Sequence, residues 1–207
     1  MTILTDRIPL ATVLSADRAV LLRVAGRIKN GEVFVYPTET IYGIGGRADS
    51  AEVEKRIRSL KGRSQQSPFI LIAADLGNFA SYEISFPPKA RILAAKFWPG
   101  NLTLVLPRKN HECGAGIRIS GHPFIAEICK EIDMPVFSTS ANISEEPYHN
   151  DPDEIFRKFI GQVDFFIDAG RLPESKPSTI VKIKGDDSFE ILRDGAICKD
   201  SILKTLR

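Results

Sequence analysis

The sequence predicts an α/β fold built on a mixed sheet. Short β-rich runs alternate with amphipathic helical stretches along the whole chain, the signature of interleaved strands and helices. The last two β-rich runs, Thr179 to Ile183 and Glu190 to Leu192, leave no room for a helix between them, so that pair runs antiparallel. At 207 residues the chain suits one large domain, taken as residues 1–207.

The elements follow in order. Ser15 is placed to cap a helix from Ala16 to Lys29, with Val20, Val24 and Ile28 on one face and Asn30-Gly31 as its stop. Val33 to Tyr36 is a short buried strand that ends at Pro37 and opens into a polar, glycine-bearing loop, Thr38 to Asp49. Ser50 caps the next helix, where Val53, Ile57 and Leu60 recur at helical spacing and Lys55, Arg56, Arg58 and Lys61 fill other positions. Phe69 to Ala73 is a strand. A helix follows Pro87-Pro88 and stops near Trp98-Pro99-Gly100, before a strand from Leu102 to Leu106. Ile117 to Ile119 is a short strand, Pro123 opens a helix to Ile132, and Val136 to Thr139 is a strand running into a loop. Asp151 caps a helix with Pro152 at its first position. Strands near Val163 to Ile167, Thr179 to Ile183 and Glu190 to Leu192 precede a short helix after Asp200.

Composition narrows the function classes. The chain is 43% hydrophobic and 26% charged, ordinary for a globular protein, and its net charge of +2 announces no bulk nucleic-acid binder. Three cysteines, Cys113, Cys129 and Cys198, form no CxxC pair and fit a reducing cytoplasm better than a disulfide framework. No apolar run is long enough to span a bilayer, so no membrane partner is expected.

Five segments hold candidate chemistry, and each has a plainer explanation. In the loop Pro37 to Gly46 the hydroxyls of Thr38, Thr40 and Tyr42 can bond a polar ligand, while its glycines serve equally well in a structural turn. Gly43 to Ala48 matches GxGxxA on paper. It stands too far past the strand for a dinucleotide turn, and no Walker motif occurs. Lys61-Gly62-Arg63 offers two cations to phosphate or carboxylate oxygens, or is a solvated helix end closed by a glycine. Ser138 to Asn142 brings small polar groups to a strand end, where open α/β sheets bind ligands, or is a polar turn. Arg118, flanked by Gly116 and Gly121, can clamp a carboxylate, or faces water from an edge strand. Ser178 and Arg193 are further polar residues at strand ends. His111-Glu112-Cys113 lacks a second ligand pair at metal spacing and reads as an ordinary loop.

Taken together and in order, PTETIYGIGG (37–46), KGR (61–63), WPGNLTLVL (98–106), GIRISGHP (116–123), STSANIS (138–144) and PSTIV…LRDGAI (177–197) resemble the YrdC-like family of threonylcarbamoyl-adenylate synthases, in its single-domain form. The resemblance implies a twisted mixed α/β sheet, open, with flanking helices and a concave basic face. It implies nucleotidyl transfer: L-threonine, bicarbonate or CO₂, and ATP give threonylcarbamoyl-AMP and pyrophosphate for threonylcarbamoyladenosine in tRNA. By position, Lys61 and Arg63 are the catalytic cations. Thr40, Arg118, Ser140 and Ser178 would contact threonine; Arg63, Ser67, Asn142, Asn150 and Arg193 would contact ATP. Mg²⁺ would arrive with ATP, with no dedicated protein metal site. Further implied partners are tRNA or double-stranded RNA and a downstream threonylcarbamoyl transferase complex. Ser120 departs from the family's usual proline, Lys176-Pro177 from its usual Glu, and the loop 144–151 from its usual sequence. The competing readings are a YrdC-like paralogue without this activity and an RNA-binding module using the cations of the 50–63 region.

Overall fold

The computed structural model describes residues 3–62, 69–144 and 146–207. Its strands are β1 (Asp6–Pro9), β2 (Phe34–Tyr36), β3 (Gly43–Gly45), β4 (Ile70–Ala73), β5 (Leu102–Arg108), β6 (His111–Ile119), β7 (Val136–Ser140), β8 (Phe165–Asp168), β9 (Thr179–Ile183) and β10 (Phe189–Arg193). Its helices are α1 (Leu10–Val13), α2 (Ala19–Lys29), α3 (Ala51–Lys61), α4 (Pro88–Phe97), α5 (Pro123–Ile132), α6 (Pro152–Phe159) and α7 (Lys199–Thr205), with a 3₁₀ helix at Gly77–Tyr82.

Among the described residues the strands form one ten-stranded sheet, in the order β1-β8-β2-β3-β7-β4-β6-β5-β9-β10. The pairs β1–β8, β2–β8, β4–β6 and β5–β9 are parallel; β2–β3, β3–β7, β4–β7, β5–β6 and β9–β10 are antiparallel. The sheet is therefore mixed, and its last pair is antiparallel as the short 184–188 connection requires.

Alternation along the strands decides what faces what. Leu102, Leu104 and Leu106 of β5, with Ile117 and Ile119 of β6, enter one core cluster together with Val53, Ile57, Leu93 and Ile202 from the helices. On the opposite face Phe34, Tyr36, Ile72 and Phe165 pack beneath α2 and α5, against Val24, Ile28, Phe124 and Ile128. Ile72 pairs with Arg118, so Arg118 shares that second face. Beyond α2 and α5 the second face is open. There Ile70, Thr103, Val105, Gly116, Arg118 and Ile180 floor a cleft of about 410 Å³.

The caps at Ser50 and Asp151 form as expected, accepting from the Val53 and Asp153 amides. The expected cap at Ser15 does not. Its hydroxyl turns to the Thr12 and Asp17 carbonyls, α2 starts only at Ala19, and Asp17 accepts the Ala19 N–H. Arg118 is not on an edge strand, because β6 lies between β4 and β5. The expected loop 38–49 contains a strand, β3, and the expected short strand at 117–119 begins at His111. Among the described residues no helix is long and apolar enough to cross a membrane.

Candidate active site

The loop after β2 is built around one hydroxyl. Thr38 Oγ1 accepts the Thr40 and Ile41 N–H groups at 3.1 and 3.2 Å and donates to the Ile41 carbonyl at 2.7 Å. This folds the loop so that Thr38 and Thr40, both buried, border the cleft. Tyr42 also borders it, but its hydroxyl is spent elsewhere, donating to Gly170 O at 2.8 Å and accepting Ala169 N–H. With these two hydrogen bonds Tyr42 braces the loop after β8, and burial raises its phenol to about 12. Gly43 borders the cleft, and none of the loop's glycines takes a left-handed turn. A Cβ on Gly45 would lie 2.8 Å from the Tyr36 ring and overlap the Phe137 carbonyl, and one on Gly46 would lie 2.5 Å from Val53. They let β3 pass between β2 and β7.

Arg118 is nearly buried, its side chain 7% exposed. Its Nε donates to Gly100 O at 2.9 Å and its Nη2 to Asn101 Oδ1 at 3.1 Å, while Nη2 also lies 3.0 Å from Glu39 Oε1. Nη1 makes a long contact, 3.5 Å, to Thr40 Oγ1. Glu39 is held on its other side by Ser120 Oγ at 2.7 Å and the Gly121 N–H at 3.1 Å. Burial alone would raise the Glu39 carboxyl; Arg118 and these hydrogen bonds outweigh it and hold the group below the usual carboxylate range.

Across the cleft, Ser178 Oγ shares a 2.8 Å hydrogen bond with Thr103 Oγ1. Arg193 donates to Ser178 O through Nε and Nη2, at 3.0 and 2.8 Å. Lost solvation, then the nearby Arg118 charge, lowers the Arg193 pKa. Two guanidinium groups thus border one concavity, suited to anionic groups.

Lys61 is the last residue of α3, followed by Gly62 in the left-handed region at φ 60°. The glycine stop is therefore real, yet the cation is not solvated. Lys61 is 3% exposed, and its Nζ donates to Ser140 O at 2.6 Å, Asn142 Oδ1 at 2.9 Å and Ser140 Oγ at 3.3 Å. Ser140 Oγ in turn donates to Asn142 Oδ1 at 2.5 Å. Lys61, Ser140 and Asn142 are one unit, of which Ser140 borders the cleft. Of the other cations of α3, Lys55 is exposed, while Arg56 and Arg58 are engaged. Arg56 pairs with Asp164 at 2.5 Å, and Arg58 pairs with Glu54 and lies over the Phe69 ring at 4.7 Å. The one specific ground for a separate RNA-binding module is thereby weakened.

Thr40, Arg118, Ser140, Ser178 and Arg193 all line the cleft, with Lys61 and Asn142 behind Ser140. Arg63 and Ser67 lie outside the described residues. Asn150 does not line the cleft, and its buried Oδ1 has no hydrogen-bond partner among the described residues. His111, Glu112 and Cys113 border a different groove, at the β5–β6 hairpin. Among the described residues no group of three His, Cys, Asp or Glu side chains converges to hold a metal ion. Sequence reasoning missed Glu39, Thr103 and Tyr148, the last of which borders the cleft and donates to Ser175 O. Glu39 sat in plain view between Thr38 and Thr40, and its signal was its charge between two small hydroxyl residues.

Known proteins share this fold. The family model Sua5_yciO_yrdC, described as "Telomere recombination", matches residues 27–195. The chain belongs to the Sua5/YciO/YrdC family. Within the family it is 31% identical, over 91% of its length, to a Bacillus subtilis protein named threonylcarbamoyl-AMP synthase, of which it covers 57%. It is 30% identical, over 88% of its length, to the Pyrococcus abyssi protein of the same name, of which it covers 56%. The chain thus spans little more than half the length of these curated relatives. The crystal structure of P. abyssi Sua5 complexed with L-threonine superposes with a TM-score of 0.85 at 27% identity, covering 98% of this chain and 61% of that one. The mixed open sheet with flanking helices is the Sua5/YciO/YrdC fold.

Proposed function

We propose that this chain is a threonylcarbamoyl-AMP synthase, a nucleotidyl-transferring enzyme that uses L-threonine, bicarbonate or CO₂, and ATP. The observation that carries the reading is the buried Arg118, which lines a cleft with Thr40, Ser140, Ser178 and Arg193. A buried guanidinium beside small hydroxyls suits the carboxylate and polar groups of a small amino acid. The synthase names of the relatives and the threonine-bound Sua5 structure support the same substrate.

The chemistry asks for positioning and charge stabilisation. The threonine amine adds to CO₂, forming an N–C bond and releasing a proton, which gives a carbamate. A carbamate oxygen then attacks the α-phosphorus of ATP, the Pα–O bond to the β-phosphate breaks, and pyrophosphate leaves. Negative charge accumulates on phosphate oxygens, so fixed cations lower the barrier. Arg118 holds the threonine carboxylate, with Thr40, Ser140 and Ser178 on the polar groups. Lys61, with Ser140 and Asn142, stands where the two substrates meet; Arg63, Ser67, Asn142, Asn150 and Arg193 serve the nucleotide. Mg²⁺ enters as part of the MgATP substrate. The product, a reactive mixed anhydride, passes in the cytoplasm to a transferase complex acting on tRNA.

The test is pyrophosphate release from MgATP by the purified protein. Release should require both L-threonine and bicarbonate, and turnover that ignores threonine would sink the reading. Lys61→Ala and Arg63→Ala should each lower kcat by about 10²–10³-fold with the circular dichroism spectrum intact.

A further inference from the structure

Glu39 lies behind the cleft and not in it. Its neighbours Thr38 and Thr40 border the concavity, while Glu39 does not. Its carboxylate is fixed at both oxygens: Oε1 by Arg118 Nη2 and the Gly121 N–H, Oε2 by Ser120 Oγ. Ser120 is itself only 2% exposed, and its Oγ also accepts the His122 N–H at 3.1 Å. The carboxylate therefore has one position, set by the turn between β6 and α5.

The hydrogen-bond capacity of Arg118 shows what that position does. A guanidinium has five N–H donors. The Nε donor goes to Gly100 O and Nη2 donates to Asn101 Oδ1, while the Glu39 carboxylate faces Nη2 as its ion partner at 3.0 Å. The Nη1 group, with its long contact to Thr40 Oγ1, is the part left to meet a ligand in the cleft. Glu39 and Asn101 together pin the edge of the fork that points away, so the free end points into the cleft. We infer that Glu39, locked by Ser120, is a positioning residue that aims Arg118 Nη1 at the carboxylate of the amino-acid substrate. This rests on the synthase reading for the identity of that substrate.

Charge and aim can be separated. Removing the Glu39 charge makes the cleft more positive, which by itself would favour a carboxylate ligand. Glu39→Gln removes the charge but keeps the reach: its Oε1 can still accept from Arg118 and Gly121, and its Nε2 can donate to Ser120 Oγ. Glu39→Asp keeps the charge but is one methylene short, so it cannot hold Arg118 and Ser120 together.

Threonine and ATP affinities are to be measured by calorimetry, and steady-state constants by pyrophosphate release, for wild type, Glu39→Asp, Glu39→Gln and Ser120→Ala. Glu39→Asp should raise the threonine Kd and KM by about tenfold or more, the scale of a lost charge-assisted hydrogen bond. Glu39→Gln should stay within about threefold of wild type, and Ser120→Ala should fall between the two, as one neutral hydrogen bond warrants. ATP affinity should be unchanged in all three. Wild-type threonine binding by Glu39→Asp overturns the inference, as does greater impairment in Glu39→Gln than in Glu39→Asp, or parallel loss of ATP and threonine affinity. Guanidinium resonances in arginine-labelled protein give an independent reading: Arg118 should show restricted Nη rotation in wild type and Glu39→Gln, and averaged signals in Glu39→Asp. If wild type neither binds threonine nor releases pyrophosphate with it, the synthase reading falls, and the Arg118 resonances alone decide whether Glu39 aims the guanidinium.

Discussion

Two buried cations illustrate how a charge is kept inside this protein. Lys61 gives its ammonium to a carbonyl, an amide oxygen and a hydroxyl, and Arg118 gives its guanidinium to a carbonyl, an amide oxygen and a carboxylate. Each therefore recovers hydrogen bonds lost from water, without which burial of a charge would be prohibitive. For Arg118 the carboxylate partner adds a pH dependence. The folded pKa of Glu39 lies below its ordinary value of 4.5, so the pair contributes stability that is fully present above that value and is lost as pH falls through the depressed folded pKa. Glu39→Gln should cost about 1–2 kcal/mol at pH 7, the difference between a charge-assisted and a neutral hydrogen bond. That deficit relative to wild type should shrink steadily in urea titrations below pH 4.5. A deficit that stays constant with pH would show that Glu39 is not ionised against Arg118.

At the scale of the element, β3 is the unusual piece. Gly-Ile-Gly has little intrinsic preference for a strand, and glycine in a strand interior weakens it. The strand exists because neighbours pair with it on both sides, β2 through Tyr36–Gly43 and β7 through Gly43–Ser140. Its glycines are a consequence of that crowding. Gly45→Ala should destabilise the fold by about 1–3 kcal/mol, because the new methyl meets the Phe137 carbonyl and the Tyr36 ring. Gly26→Ala supplies the contrast. It lies within α2 with nothing inside 4 Å of its new methyl, so it should stabilise by roughly 0.5–1 kcal/mol. Thermal melts of the two variants, shifting in opposite directions, would check both arguments; a neutral Gly45→Ala would mean that β3 can move away from β7. The same pairing holds Ser140 beside Lys61, so β3 links packing to the site.

For the whole molecule, the sheet has one face fully covered by helices and one face only partly covered. Where α2 and α5 stop, the open floor of Thr103, Val105, Gly116, Arg118 and Ile180 becomes the cleft. Ligands filling it bridge β5, β6, β7, β9 and the loop after β2, elements distant in sequence. On the proposed reading, either threonine or MgATP alone at about a hundred times its dissociation constant should stabilise the fold by about 2.7 kcal/mol. For a chain of 207 residues that is a rise in Tm of roughly 5–10 °C, readable by thermal shift. No shift with either ligand would leave the cleft without its proposed occupants.

Local order was legible in the chain itself. Periodicity of apolar residues and caps such as Ser50 and Asp151 act over a few neighbours, so they predicted the main helices, most strands and the mixed sheet, and the order of short motifs pointed to the family. Most of the cleft-lining polar residues were legible too, through those motifs. Three features were decided only in space. Lys61 looks in sequence like a solvated cation before a glycine stop, and only the approach of the 140–142 loop makes it a buried one. Tyr42 looks like a ligand hydroxyl, and only the chain at 169–170 consumes it. Glu39 carries no spacing signal at all, because its partners Arg118 and Ser120 lie about 80 residues away along the chain. Hydrogen bonding and burial depend on which segments meet across the sheet, and that is a property of the sheet order rather than of any local run of residues.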